Sequence, residues 1–231
     1  MEYDSHSLSV ADASIEQRAR FIVRTYAHLV GAIALFTVIE VLLFTTPFGQ
    51  NLAFGILQLP WLLILGGFIV VGWMARSVAW NARTPAVQYL ALGGFVLAEA
   101  IIFLPLLLMV EAQAPGTINS AALVTLLGFA ALTWVVWHYR ADFQFLRSAL
   151  MFGGIMALVA IVAAVIFGFE LGTWFSVGMI VLAGMSILHD TSNVMIRYPS
   201  DRHVSAALEL FASVALLFWY VLRLMSQLQR D

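Results

Sequence analysis

Between residues 25 and 222 the chain repeats one pattern: an apolar run long enough to cross a hydrocarbon core as a helix, followed by a short polar break. The runs lie at 25–45, 56–74, 86–109, 121–137, 150–169, 171–188 and 204–222, and four of the seven hold no charged residue at all. A bilayer core of roughly 30 Å is spanned by about 20 helical residues. Backbone polar groups find no water in lipid, so only helices or closed barrels cross it, and runs of this length select helices. Composition agrees: 62% of the 231 residues are apolar and 10% are charged, against about 25% charged in a soluble domain. The expected fold is therefore an all-α polytopic integral membrane protein with seven transmembrane helices. Its domain organisation reads as a tail over 1–24, a membrane domain over 25–223 and a short tail over 224–231.

Charge placement gives the topology. Arginines stand in the tail (Arg18, Arg20, Arg24), in the second break (Arg76, Arg83), the fourth (Arg140, Arg147) and the sixth (Arg197, Arg202), whereas the third and fifth hold Glu111 and Glu170. Positive charge accumulates on the cytoplasmic side of membrane proteins. The expectation is a multi-pass protein of the cell inner (cytoplasmic) membrane with its N-terminus in the cytoplasm. Arg223 and Arg230 depart from the pattern, which leaves six spans plus a re-entrant last helix as the alternative. The first 20 residues carry Glu2, Asp4, Asp12 and Glu16 and lack the apolar centre and small-residue cleavage site of a signal peptide. All eleven basic residues are arginine and cysteine is absent, which excludes disulfides and thiolate metal sites. A net charge of −2 says little about partners, because in a membrane protein the placement of charge matters more than its sum, and nothing in the chain resembles a nucleic-acid-binding pattern. The lipid bilayer is the one partner that composition demands.

Ionisable groups inside such runs are costly enough to mark candidate sites. Glu99 lies deepest, about 20 Å from the start of its run at 1.5 Å per residue. Pro105, beyond it, frees the carbonyl of Ile101. A protonatable group in a polar cavity and a neutral Glu bonded to a neighbouring helix both fit. Glu40 lies near the far end of the first run, where interfacial anchoring is the simpler role. Arg76 closes the second run, as an anchor or as a partner for a buried carboxylate.

Asp190 falls about 28 Å along the sixth run, at the same depth as the start of the seventh. There Glu209 and Ser213 share one helical face. These groups with Arg76 form an inner polar layer if the two helices touch; otherwise Asp190 ends its helix in solvent. His28, His138, His189 and His203 lack the spacing of a helical metal box. Gly184-Met185-Ser186 lacks the glycine that completes a nucleophile elbow, and HExxH is absent. Neither an enzyme nor a cofactor is expected. Gly94 with Ala98, Gly153 with Ala157 and Ala160 with Ala164 offer small-residue spacings for helix packing.

The stretch HDTSNVMIRYPSDRHVSAALELFASVALLFWYVLRLM, from His189 to Met225, resembles the closing segment of the Bax inhibitor-1 family. In that family an Asp-Thr pair ends helix six and an Ala-Ala-Leu helix ends in Leu-Arg. AEAIIFLPLL at 98–107 is similar to its third helix and ADFQFL at 141–146 to the loop before its fifth. The resemblance implies a seven-helix fold with the last helix central. It also implies a calcium-permeable leak regulated by pH, through two aspartates on helices six and seven that share a proton and latch the pore. Asp190 matches the first aspartate. Where the family has Leu-Tyr-Leu-Asp, however, this chain has Leu210, Phe211, Ala212 and Ser213. Two adjacent carboxylates cannot both ionise freely, which is what makes such a pair a pH sensor. Here either Glu209 supplies the second carboxylate or Asp190 pairs with Arg76 and no switch exists. Bacterial relatives also imply a second function, as a modulator that binds a membrane-bound ATP-dependent quality-control protease through the tail and loops.

Overall fold

The computed structural model of the chain describes residues 9–82 and 84–229; Glu2, Asp4, Arg83 and Arg230, weighed above for their charge, lie outside them. Among the described residues there are eight helices: α1 (Ile15–Thr45), α2 (Pro47–Leu57), α3 (Trp61–Asn81), α4 (Pro85–Gln113), α5 (Thr117–Tyr139), α6 (Leu146–Phe167), α7 (Thr173–Ile196) and α8 (His203–Leu228). All but α2 are long and apolar enough to cross a membrane. Successive long helices run in opposite directions. The N-terminal arm and the α3–α4, α5–α6 and α7–α8 connections therefore share one end, which is the arginine-rich end.

That end is tied together by hydrogen bonds between chain segments far apart in sequence. The amide of Val10 donates to the Tyr198 carbonyl at 2.9 Å and that of Ala11 to Ile196 at 3.2 Å. Ser205 Oγ donates to the Ala79 carbonyl at 2.7 Å, one of the last carbonyls of α3 and so without a partner in its own helix. At the opposite end Arg223 donates to the Leu171 carbonyl at 2.9 Å, and Thr117 Oγ1 donates to Gln229 Oε1 at 2.7 Å.

α8 is the axis of the bundle. It packs on α1, α3, α4, α5 and α7, while α6 lies outside against α7. In their most apolar stretches 72% of α8 is buried against 6% of α6. Between lipid and protein there is no hydrophobic difference to drive this packing, so small residues that let backbones approach must supply it. Ser205, Ala206, Ala207, Ala212, Ser213 and Ala215 provide that surface, all of them buried. Among the expected small-residue pairs Gly153 makes a close contact: a Cβ there would fall on the side chain of Leu182 in α7, whereas one at Gly94 would meet nothing.

Several boundaries differ from the apolar runs. The second run was expected over 56–74, but α2 ends at Leu57 and α3 begins at Trp61 after Pro60. Pro60 brings no backbone N–H to extend α2 and disfavours helical backbone in the residue before it, and the apolar side chains around it conceal the break. α3 then runs to Asn81, so Arg76 lies within the helix rather than closing it. The first helix begins at Ile15, inside the stretch read as tail. α7 continues through His189, Asp190 and Asn193 to Ile196, so Asp190 is not the solvated end of a helix. α8 is unbroken from one end of the bundle to the other, which leaves no re-entrant turn.

Packing around α8 predicts where truncation is felt. Leu208 is 0% exposed and Ile155 59% exposed. Leu208→Ala should destabilise the detergent-solubilised protein by about 2 kcal/mol or more through the cavity it leaves. Ile155→Ala should stay within about 0.5 kcal/mol. Thermal melts followed by tryptophan fluorescence check the contrast; equal losses would contradict the central position of α8.

Candidate functional site

α7 and α8 face each other with a polar layer between them, near the arginine-rich end. From the helix ends, Arg76 lies about 8 Å in along α3, Asp190 about 9 Å along α7 and Glu209 about 9 Å along α8 at 1.5 Å per residue. The register of the antiparallel pair brings Asp190 to Ser213. Ser213 Oγ donates to Asp190 Oδ2 at 2.5 Å. Ser186 Oγ, one turn before Asp190 on the same face, lies 3.2 Å from that oxygen and 3.0 Å from Ser213 Oγ. The second carboxylate oxygen is 3.0 Å from His189 Nδ1. Asp190 is thus bonded to Ser213, Ser186 and His189 rather than to Arg76. Its side chain keeps 16% of its surface accessible, so the cluster is nearly closed.

Glu209 lies on the same face of α8 one turn toward the arginine-rich end, within hydrogen-bonding reach of the Tyr198 hydroxyl. Tyr198 sits in the α7–α8 turn, is 1% exposed, and is covered by the N-terminal arm through Val10. Burial, followed by the negative charge and hydrogen bonding of Glu209 and the charge of Asp190, raises the phenol well above its ordinary range. It therefore remains a neutral hydroxyl beside Glu209. Arg76 makes a long-range electrostatic contribution at Glu99, Glu209 and Tyr198, so it supplies positive charge to the layer without closing a direct pair with Asp190.

The polar residues that follow Asp190 have a separate task. Ser192 Oγ accepts from the Phe143 amide at 3.1 Å and donates to the Ala141 carbonyl at 3.2 Å. The Asn193 carbonyl accepts from the amides of Arg197 and Tyr198. Arg197 Nη2 lies 2.6 Å from Asp142 Oδ2, which holds that exposed carboxyl below its usual range. These bonds fasten the α5–α6 connection against α7. They also satisfy the Ser192 hydroxyl, which would otherwise compete for the helix's own backbone.

Glu99 is 3% exposed and lines a cavity of about 100 Å³ between α3, α4, α6 and α8. It does not join the Asp190 cluster. Around α8 stands a set of touching rings: Phe36 on Phe103 (5.2 Å) and on Phe211 (6.2 Å), and Phe103 on Phe218 (5.5 Å) and Trp219 (4.9 Å). Nearer the arginine-rich end, the hydroxyls of Tyr26, Thr133 and Thr191 converge between α1, α5 and α7. None of the three makes a direct hydrogen bond of normal geometry, an arrangement suited to a bridging water.

The sequence brought forward Asp190, Glu209 and Ser213, which the structure places in one layer, and Glu99, which it places in another. It missed Ser186, His189 and Tyr198 as members of the layer. Ser186 was legible, being four residues before Asp190 and so on its face. No pattern pointed to Tyr198, which reaches Glu209 only through the fold of a turn.

Arginine is the only basic side chain besides histidine, and cysteine is absent, so tyrosine alone titrates near pH 10. A phenol raised in the folded state contributes its stability fully below pH 10 and loses it as pH rises above that value, by about 1.4 kcal/mol per pH unit. Tyr198→Phe should therefore flatten the alkaline fall of the melting temperature. An unchanged slope would show that Tyr198 ionises as readily in the fold as out of it.

A family model described as "Inhibitor of apoptosis-promoting Bax1" matches residues 18–230, nearly the whole chain. No curated protein matches it.

Proposed function

Because the chain belongs to the Bax inhibitor-1 family and is a multi-pass membrane protein, we propose that it acts as a passive, proton-sensitive calcium leak. In this proposal the arginine-rich end faces the cytoplasm and the membrane is the cell's inner one. The observation that carries the reading is the meeting of Asp190 with Ser213 and Ser186 across α7 and α8, with Glu209 one turn away. A charge change in this layer alters what holds the two helices together, and one of the two, α8, is the axis of the bundle.

The mechanism follows from the order of the layers. Asp190, Glu209 and the two serine hydroxyls offer a hard cation some of the oxygens it needs, water supplying the rest. From Phe211, at the level of these groups, the rings continue beyond them through Phe36, Phe103 and Phe218 as an apolar barrier that a hydrated ion cannot cross while they touch. Separation of α8 from α7 loosens both layers, because Phe211 and Ser213 belong to one stretch of α8. Glu209 replaces the family's second aspartate as the partner whose charge Asp190 senses, and the Ser213 hydroxyl replaces it as the latch.

Calcium flux into proteoliposomes from about pH 6 to 8, where a coupled pair of this kind titrates, tests the reading. The parent should show a pH-dependent rate, and Asp190→Asn and Glu209→Gln should each flatten it. Identical profiles for the three proteins would remove the proposed switch. Phe103→Ala should raise the rate several-fold at every pH without changing the shape of the profile. A rate unaltered by widening the barrier would place the conducting path elsewhere.

Binding of a membrane-bound ATP-dependent protease is a second reading, favoured by the exposed Arg20 and Arg24 beside the arm. Val10 lies against Tyr198, so removing the whole tail would disturb the α7–α8 turn as well. Arg20→Glu with Arg24→Glu separates the two readings: it should weaken association with the protease and leave flux intact.

A further inference from the structure

In the half of the bundle away from Asp190, α1, α4, α5 and α8 surround a cavity of about 490 Å³, within the range of small-molecule sites. α1 and α5 both lean on α8 and α4 but scarcely on each other. The cavity therefore opens sideways, where Thr37, Val41 and Leu126 are exposed. Its walls are apolar and aromatic, with Phe36, Phe44, Phe211 and Phe218 among them. Into this lining projects Glu40, 6% exposed, both of whose carboxylate oxygens lack a hydrogen-bond partner. A second carboxylate, Glu111, also lines the cavity, and no basic side chain does.

We propose that this cavity is a binding site for a hydrophobic amine, one protonated nitrogen on an apolar body, which enters from the lipid side and sets its ammonium on Glu40. A carboxylate buried without a partner is costly, and an ammonium group removes that cost by pairing and hydrogen bonding. The surrounding rings add cation–π attraction and accept the apolar body. Anions are excluded by the two carboxylates, and a phosphate-bearing headgroup would bring its charge against Glu111. An inorganic divalent cation fits poorly, because it wants six or more oxygens. The hydroxyls of Thr37, Thr45 and Thr125 are already turned back onto the carbonyls of Ile33, Val41 and Ala121 in their own helices. The site lies apart from the Asp190 layer, and its test does not depend on flux.

The test uses the full chain in phosphatidylcholine nanodiscs and a long-chain alkylamine carrying a diazirine, with the alcohol of the same chain as the control. Photolabelling by the amine should fall on α1 and α5 peptides lining the cavity and exceed that by the alcohol about tenfold, the ratio that corresponds to 1.4 kcal/mol. Glu40→Gln should abolish the preference for the amine while leaving labelling by the alcohol. Ala122→Trp, which fills the cavity from α5, should reduce both. Equal labelling by amine and alcohol in the parent protein, which needs no variant to fold, would overturn the proposal. So would a preference that survives Glu40→Gln, or labels confined to other helices. Adding phosphatidylethanolamine to the discs should leave amine labelling unchanged; if it competes, the site belongs to a lipid headgroup and the proposal fails.

Discussion

A carboxyl placed among seven apolar helices is costly unless donors meet it, and Asp190 stands where donors do. Its donors come from both helices of the pair: Ser186 from its own turn and Ser213 from α8. One bond of 2.5 Å therefore does two things, satisfying a carboxyl oxygen inside the bundle and fixing the register of α7 against α8. Once the register is set, Ser192 meets the α5–α6 connection, Tyr198 comes to Glu209, and the arm closes over the turn through Val10 and Ala11. In lipid, where apolar surfaces do not discriminate between protein and solvent, polar contacts of this kind and close approach of small residues are what specify one packing over another.

The architecture was legible because the membrane imposes it. A run such as 150–169, with no charge, has almost no alternative to a spanning helix, and it became α6. Boundaries were less legible wherever apolarity and helicity part company. Around Pro60 the side chains remain apolar although the backbone breaks. Around Asp190 the opposite holds, since polar side chains look like an ending while the helix runs on to Ile196. That second misreading has a physical cause in tertiary partners: residues that compete for backbone hydrogen bonds in isolation stop competing once Ser213 or the Ala141 carbonyl occupies them. Of the candidate site, residues at helical spacing could be read, and Tyr198, brought in by a turn, could not.

The serine at position 213 changes the physics of the latch more than its size suggests. Two carboxylates in contact repel unless they share a proton, so such a contact is bistable by construction. A hydroxyl facing a carboxylate is stable in one state, with the hydroxyl donating. Any sensitivity to protons must then come from groups other than residue 213: His189, whose Nδ1 lies 3.0 Å from the other Asp190 oxygen, and Glu209, which lies one turn away with the Tyr198 hydroxyl in its reach. Coupling through that separation is weaker than coupling through contact, since the Coulomb term falls with distance.

The central helix also divides the interior into compartments of different character. Ala215 lines both the small cavity that holds Glu99 and the larger one that holds Glu40. Phe36, Phe211 and Phe218, which wall the larger cavity, belong to the same set of rings as Phe103 and Trp219, which wall the smaller. A displacement of α8 therefore cannot reshape one compartment alone, because close-packed rings transmit it rather than absorb it. If a cation is to pass the aromatic layer, the rings must separate, and the space they need is adjacent to Glu40. An amine body seated there would occupy that space, so the ligand site and the barrier compete for one volume even though the charge that senses protons lies in another.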